Sequence, residues 1–109
     1  MADAGWVRVA AAAAVAEGEM VGVRAGDLDI AVYNLSGGEF RATSNVCTHE
    51  YAQLSDGFLE GGVVECPLHG GKFDVRTGQA VAAPCQTAIQ VFDVRVEGED
   101  VLLKLPAFT

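Results

Sequence analysis

Two short stretches of the chain each hold a cysteine followed closely by a histidine. One residue separates Cys47 from His49, two residues separate Cys66 from His69, and sixteen residues lie between the two pairs. The chain has only two histidines and three cysteines, so these pairs take up all but one of them. Cysteine thiolates and neutral imidazoles are both good ligands for transition metals. The spacing therefore predicts a metal centre held by two loops.

Nucleophilic catalysis and structural zinc are alternative uses of these residues. A Cys–His nucleophile pair would leave the second pair without a role, and no third histidine is available as an independent general base. Zinc accepts two cysteines and two histidines, but its paired ligands are usually separated by about two to four residues, which the gap between Cys47 and His49 does not match. A binuclear iron–sulfur centre has both cysteines on one iron and both histidines on the other. It suits two loops that each supply one cysteine and one histidine.

The charge of the chain restricts its partners. Fifteen acidic residues against seven basic ones give a formal net charge of −8. Nucleic acids, anionic membranes and phosphate ligands all favour basic patches, so none of them is expected as a partner. The acidity either keeps a small protein in solution or steers a basic partner, and both interpretations remain open.

The length of 109 residues predicts a single domain, and the N-terminal region does not predict export. Val9 to Ala16 is apolar, but Asp3 precedes it and no lysine or arginine comes before Arg8, unlike a secretory signal. No apolar stretch approaches the roughly 20 residues of a membrane span. We therefore expect a cytoplasmic protein, in which thiols stay reduced and clustered cysteines more often bind metal than form disulfides.

Short runs rich in β-formers alternate with glycine-containing turns, which predicts an all-β fold. The expected strands are Trp6 to Ala10, Met20 to Arg24, Leu28 to Leu35, Glu39 to Ser44, Gly62 to Glu65, Gly71 to Val75, Ile89 to Glu97 and Val101 to Leu105. Turns are expected at 36–38 and 98–100, and a weak hairpin over Phe58 to Glu65 should turn at 61–62. The alanine run at 10–14 is too short for more than one helical turn. Trp6, Phe40 and Phe92 are the expected core aromatics.

Several motifs resemble those of a known family. They are "CTH", "LSDGFLEGGVVECPLHGGKFDVRTGQA" and the looser "VAEGEMVGV", "IAVYNL" and "GEFRAT". With them the chain resembles, over nearly its whole length, the Rieske-type ferredoxins of bacterial aromatic-ring-hydroxylating dioxygenases, such as those acting on naphthalene, biphenyl or carbazole. The resemblance implies an antiparallel β-sandwich with a small cluster-binding subdomain of two ligand loops. One Rieske domain would cover residues 1–109, with that subdomain at about 45–84.

The resemblance also implies a ligand set for one Rieske-type 2Fe–2S cluster. Cys47 and Cys66 would hold the inner iron, while His49 and His69 would hold the outer iron near the surface, where electrons leave. Pro84 matches a third loop that covers the cluster in this family, although a simple turn proline is the alternative. Cys85 matches no ligand position and is expected to be a buried core residue.

The function implied by the resemblance is electron transfer without substrate chemistry, so the protein would not itself be an enzyme. It would carry single electrons from a NAD(P)H-dependent flavoprotein ferredoxin reductase to a terminal Rieske non-haem iron oxygenase. Two alternatives are a Rieske subunit of a larger oxidoreductase and a zinc-stabilised interaction module.

Differences from the Rieske proteins that the chain resembles bear on its reduction potential and on its partners. The high-potential respiratory relatives carry a further cysteine in each ligand loop, where this chain has Ala52 and Leu68. They also have serine and tyrosine hydroxyls where this chain has Gly71 and Phe73. Fewer hydrogen bonds to sulfur predict a low reduction potential. Many relatives have glycine after the first ligand histidine, and the residues 50–51 found here either affect partner choice or form a solvated pair.

Overall fold

The computed structural model describes residues 5–47, 52–68, 70–83 and 87–104, and these residues are mainly β-structure. The strands are β1 (Trp6–Ala11), β2 (Met20–Ala25), β3 (Leu28–Asn34), β4 (Phe40–Ser44), β5 (Phe58–Glu60), β6 (Val63–Glu65), β7 (Lys72–Asp74), β8 (Ala80–Ala82), β9 (Val91–Glu97) and β10 (Asp100–Lys104). Short 3-10 turns cover Ala12–Ala14, Ser36–Gly38 and Leu54–Asp56. In this part of the chain, no helix is long and apolar enough to cross a membrane. The all-β prediction is confirmed.

The larger sheet has six strands in the order β1-β10-β9-β4-β3-β2, and all its pairings are antiparallel. Both expected turns are present, because β3 pairs with β4 across the turn at 36–38 and β9 pairs with β10 across the turn at 98–99. Strand β1 pairs with β10, so the two ends of the described chain lie side by side. The edge strands β1 and β2 also contact each other, which shows that the sheet bends.

Strand β3 is buried on both faces and separates two apolar clusters. Ile30 and Val32 face one cluster, whereas Ala31 and Tyr33 face the other, as the twofold alternation of a strand requires. This double burial explains why the run has no polar alternation. The first cluster, named here the loop-side core, contains Ala31, Tyr33, Leu35, Cys47, Leu54, Val64, Cys66, Phe73, Val75 and Ile89. The second contains Val15, Ile30, Val32, Ala42, Phe92, Val101 and Leu103.

The smaller sheet has four strands in chain order, β5-β6-β7-β8, and it carries the second cysteine–histidine stretch. Strands β5 and β6 form the expected hairpin. Gly61 and Gly62 make its turn with φ angles of 58° and 89°, a left-handed conformation that glycine adopts without steric cost. Strand β8 was not predicted, since three residues of sequence AVA give no periodic signal and its pairing with β7 lies across another turn.

An ion pair joins the two sheets. Glu39, just before β4, accepts hydrogen bonds of 2.8 Å from Nε and 2.9 Å from Nη2 of Arg76, which follows β7. Arg41 Nε also donates to Glu39, at 2.9 Å. The Arg76 guanidinium lies against the backbone of Gly62, where a Cβ would overlap it. These contacts hold the hairpin of the smaller sheet against the larger one.

Two sequence predictions about the core need correction. Tyr33 and Phe73, which were not chosen, are completely buried, whereas Trp6 is only partly buried and stacks 4.5 Å beneath the guanidinium of Arg95. Trp6 lies on β1 at the edge of the sheet, which explains its partial exposure. Strand β9 begins at Val91 rather than at Ile89, and Ile89 instead enters the loop-side core.

Candidate metal centre

Cys47 and Cys66 begin two loops that leave different sheets. Cys47 follows β4 by three residues, and Cys66 directly follows β6. Their side chains belong to the same loop-side core, and the two residues are only 4% and 1% exposed. The fold therefore brings the two cysteines, nineteen positions apart in sequence, into one buried cluster.

The two loops are closed by equivalent backbone hydrogen bonds. The Cys47 N–H donates to the Ala52 carbonyl at 3.0 Å, and the Cys66 N–H donates to the Gly71 carbonyl at 2.7 Å. Each bond joins a cysteine to the residue five positions later. The residues just outside these bonds are also paired in the same way in both loops: Val46 forms a β-bridge with Gln53, and Glu65 pairs with Lys72. Both cysteines thus occupy the first position of a six-residue loop with a fixed base.

The structure locates two of the four predicted ligands. His49 and His69 lie outside the described residues, as do Pro84, Cys85 and the pair 50–51. The second loop nevertheless shows a clear direction: Cys66 is buried, whereas the next two residues, Pro67 and Leu68, are exposed, Leu68 by 40%. The chain therefore passes from the core to the surface immediately before His69.

The surroundings of the two sulfurs are apolar. Leu54, Val64 and Phe73 are fully buried in the same cluster as both cysteines. A thiolate is unfavourable in such surroundings unless a bound cation offsets its charge. Within the described ranges, no group of three or more histidine, cysteine or acidic side chains is assembled, so carboxylates there do not complete a ligand set. Two buried sulfur donors on closed loops fit an iron–sulfur group, for which sulfur is the preferred ligand.

Tyr33 brings one hydroxyl group into the otherwise apolar loop-side core. Its hydroxyl lies 2.9 Å from Thr43 Oγ1, which itself donates to the Ser44 carbonyl at 2.9 Å, so Tyr33 donates to Thr43. Burial raises the pKa of Tyr33 well above its ordinary value, and the hydrogen bond with Thr43 opposes this only in part. Tyr33 is therefore a neutral structural phenol at neutral pH.

A tight turn connects the first loop to the base of the second. Gly57 ends the turn Leu54–Asp56, and a Cβ at this position would overlap the carbonyl oxygen of Glu65 and lie 3.1 Å from Pro67 Cδ. Only glycine allows the turn to approach the residues on either side of Cys66 this closely. Sequence reasoning did not single out Gly57, although a glycine between a polar turn and a strand was a usable signal.

Comparison with known proteins decides the family. A model of the Rieske 2Fe-2S domain matches residues 5–93, which include both loops. The chain belongs to the Rieske family. This membership favours the iron–sulfur interpretation of the paired cysteines and histidines over zinc.

Individual Rieske relatives agree over most of the chain. The ferredoxin component of the naphthalene 1,2-dioxygenase/salicylate 5-hydroxylase systems of Ralstonia sp is 45% identical over 100 residues, covering 92% of this chain and 95% of the relative. The structure of a ferredoxin from Sphingomonas yanoikuyae B1 is 42% identical with a TM-score of 0.86, covering 92% of this chain and 98% of that one. A complex of reduced oxygenase and oxidized ferredoxin in carbazole 1,9a-dioxygenase contains a chain 41% identical, with a TM-score of 0.85 and 94% of both chains covered.

Proposed function

We propose that this Rieske protein is a one-electron carrier that takes electrons from a NAD(P)H-dependent flavoprotein ferredoxin reductase. It passes them to a terminal Rieske non-haem iron oxygenase that hydroxylates an aromatic ring. The relatives named as ferredoxin components of such systems support this proposal. The observation that carries it is the pair of equivalently closed loops, each beginning with a buried cysteine.

We assign one 2Fe–2S cluster to the chain and propose four residues as its ligands. Cys47 and Cys66 would hold the buried iron, and His49 and His69 the outer one; when bound, the cluster supplies a site for one electron. The closed loop bases hold the two sulfurs in place, and the apolar side chains around them exclude water. In this assignment the chain is one Rieske domain over residues 1–109, with a cluster-binding part at about 45–84.

We propose that electrons leave at the surface next to the second loop. The exposure of Pro67 and Leu68 beside buried Cys66 supports an outer iron close to solvent and to a docked partner. A carrier must release its partners quickly, so the interface should be small, below about 1,200 Å² in total. The net charge of −8 would steer a basic partner, and added salt would then slow association.

Reconstituted electron transfer tests this proposal. The purified protein should be red-brown and should be reduced when NADH and the reductase of a naphthalene dioxygenase system are added. Mixing this reduced protein with the oxidised oxygenase of that system should return its spectrum to the oxidised form, with one electron delivered per chain. A colourless protein that contains zinc would contradict the proposal. A protein that purifies only in a permanent complex would instead indicate a subunit of a larger oxidoreductase.

A further inference from the structure

Asn45 uses both polar atoms of its side chain to hold a residue beyond the first ligand loop. It directly follows β4, lies two positions before Cys47 and is only 1% exposed. Its Oδ1 accepts a hydrogen bond of 2.8 Å from the Ser55 N–H, and its Nδ2 donates one of 3.0 Å to Ser55 Oγ. The donor at the Ser55 backbone fixes which side-chain atom is the oxygen.

The backbone of Asn45 reinforces this connection. Its carbonyl accepts a 2.8 Å hydrogen bond from the Leu54 N–H, and its own N–H donates to the Asp29 carbonyl on β3 at 2.9 Å. Moving outward along the first loop, the next contacts are the Val46–Gln53 bridge and the bond from Cys47 to residue 52. Asn45 therefore connects the base of the first loop to strand β3 of the larger sheet.

A glycine on β2 provides the space for these side chains. A Cβ at Gly22 would lie 2.8 Å from Ser55 Oγ and 2.9 Å from Asn45 Nδ2, closer than real Cβ contacts. Any larger residue at position 22 must therefore push the Asn45–Ser55 pair away from β2. Ser55 belongs to the turn Leu54–Asp56, and Gly57 at the end of this turn lies against the carbonyl of Glu65.

We propose that Asn45 is a positioning residue for the metal centre, which it serves by fixing the first ligand loop relative to the second. The inference rests on the proposed function. Alanine at position 45 would leave the partly buried Ser55 N–H without its acceptor, whereas aspartate would remove the donor and bury a charge. Asparagine supplies one acceptor and one donor in the required positions. The turn at 54–57 passes this constraint on to Glu65 and hence to the loop of Cys66.

A matched pair of variants separates positioning from general stability. Asn34, at the end of β3, is partly buried, and its Nδ2 donates to the Val15 carbonyl at 2.8 Å. Val15 belongs to the other apolar cluster, away from the cysteines. Asn45→Ala and Asn34→Ala should both lower Tm. When each protein is measured at the same number of degrees below its own Tm, Asn45→Ala should release iron to a chelator about tenfold faster than wild type. It should also alter the electron-paramagnetic-resonance (EPR) line shape. Asn34→Ala should match wild type in both measurements.

Ser55→Ala provides an intermediate variant and keeps the test valid if Asn45→Ala does not fold. It retains the bond from the Ser55 backbone to Asn45 Oδ1 and should therefore give a smaller increase in iron release. In the purified protein, its Leu54 amide should exchange hydrogen faster than in wild type, while amides of β10 are unchanged. Gly22→Ala, which displaces the pair by contact alone, should have the same effects.

The outcomes distinguish this inference from the function on which it rests. A folded Asn45→Ala protein with the wild-type line shape and iron release equal to that of Asn34→Ala would overturn the positioning role while leaving electron transfer intact. A wild-type protein without any iron–sulfur signal would overturn the proposed function. Independently of the cluster, an unchanged rate of hydrogen exchange at the Leu54 amide in Ser55→Ala and Gly22→Ala would overturn the loop-holding role of Asn45.

Discussion

The N–H of Cys66 donates a 2.7 Å hydrogen bond to the carbonyl of Gly71 and thereby closes the second ligand loop. Gly71 is itself buried, and Phe73, two residues later, has no exposed surface and shares the apolar cluster of both cysteines. Neither residue has a side-chain donor. Positions 71 and 73 therefore lie close to the expected sulfurs without offering them a side-chain hydrogen bond, which is relevant to the reduction potential.

Adding hydroxyl groups at these positions should raise the potential. The wild-type value should be low for a Rieske centre, below about 0 mV in a family range of about −150 to +300 mV. Reduction adds negative charge, so a hydroxyl that donates to sulfur stabilises the reduced form. In Gly71→Ser and Phe73→Tyr, each new hydrogen bond should raise the potential by about 40 mV, which corresponds to about 1 kcal/mol. A redox titration followed by visible circular dichroism measures this.

Phe92→Tyr is the control for the added hydroxyl. Phe92 is buried in the other apolar cluster, so its variant should keep the wild-type potential. A high wild-type potential, or no upward shift in an intact Gly71→Ser/Phe73→Tyr double variant, would contradict the explanation.

Gly57→Ala should damage the metal centre through a steric effect alone. The new Cβ would overlap the Glu65 carbonyl, a backbone atom that cannot rotate away. Overpacking of this kind costs on the order of 3 kcal/mol, and for a domain of this size Tm should fall by more than about 10 °C. Because the displaced carbonyl directly precedes Cys66, the iron content per folded chain should fall too. Thermal unfolding and iron analysis of the soluble fraction test both effects.

Gly98→Ala is the matched control. Gly98 has a φ of 61° in the β9–β10 turn, and nothing lies within 4 Å of a Cβ built there. Its substitution should cost about 1 kcal/mol of backbone strain and leave iron content unchanged. Equal iron loss in both variants would show that the contact of Gly57 with the second loop is unimportant.

The strands that could be predicted are those whose signals are local. Strand β3 and the hairpin turns follow from apolar runs bounded by glycines, and the sequence alone places both cysteines in loops. Strand β8, the Asn45–Ser55 pair and the Gly57 contact could not be predicted, because each depends on which distant segments lie side by side. Tyr33 was missed for a related reason: its burial depends on a second layer that covers the outer face of β3.

The Glu39–Arg76 ion pair should make stability depend on acid pH. The hydrogen bonds from Arg76, and next the one from Arg41, lower the pKa of Glu39 from its ordinary 4.5 to about 2. A lowered carboxyl pKa stabilises the folded state fully above about pH 4.5, and this contribution is lost as pH falls from there to about 2. Glu39→Gln should therefore lower Tm slightly at pH 7, and the difference from wild type should disappear toward pH 2. The contribution is small because the pair is partly exposed.

Added salt and a control substitution test whether the stabilisation by Glu39 is electrostatic. Added salt should reduce the difference between wild type and Glu39→Gln at pH 7. Glu99→Gln, an exposed carboxylate in the β9–β10 turn, should leave Tm unchanged across the same pH range. A wild-type advantage over Glu39→Gln that persists at pH 2 would contradict an electrostatic origin.

Isotope labelling tests the ligand assignment most directly. Because the chain contains only two histidines, 15N-labelled histidine in a protein without a histidine tag reports on His49 and His69 alone. Pulsed EPR of the reduced protein should show two strongly coupled histidine nitrogens whose frequencies change on labelling, and His49→Ala or His69→Ala should abolish the normal signal. No coupled labelled nitrogen in the wild type, or an unchanged signal in either variant, would contradict a Rieske cluster held by Cys47, His49, Cys66 and His69.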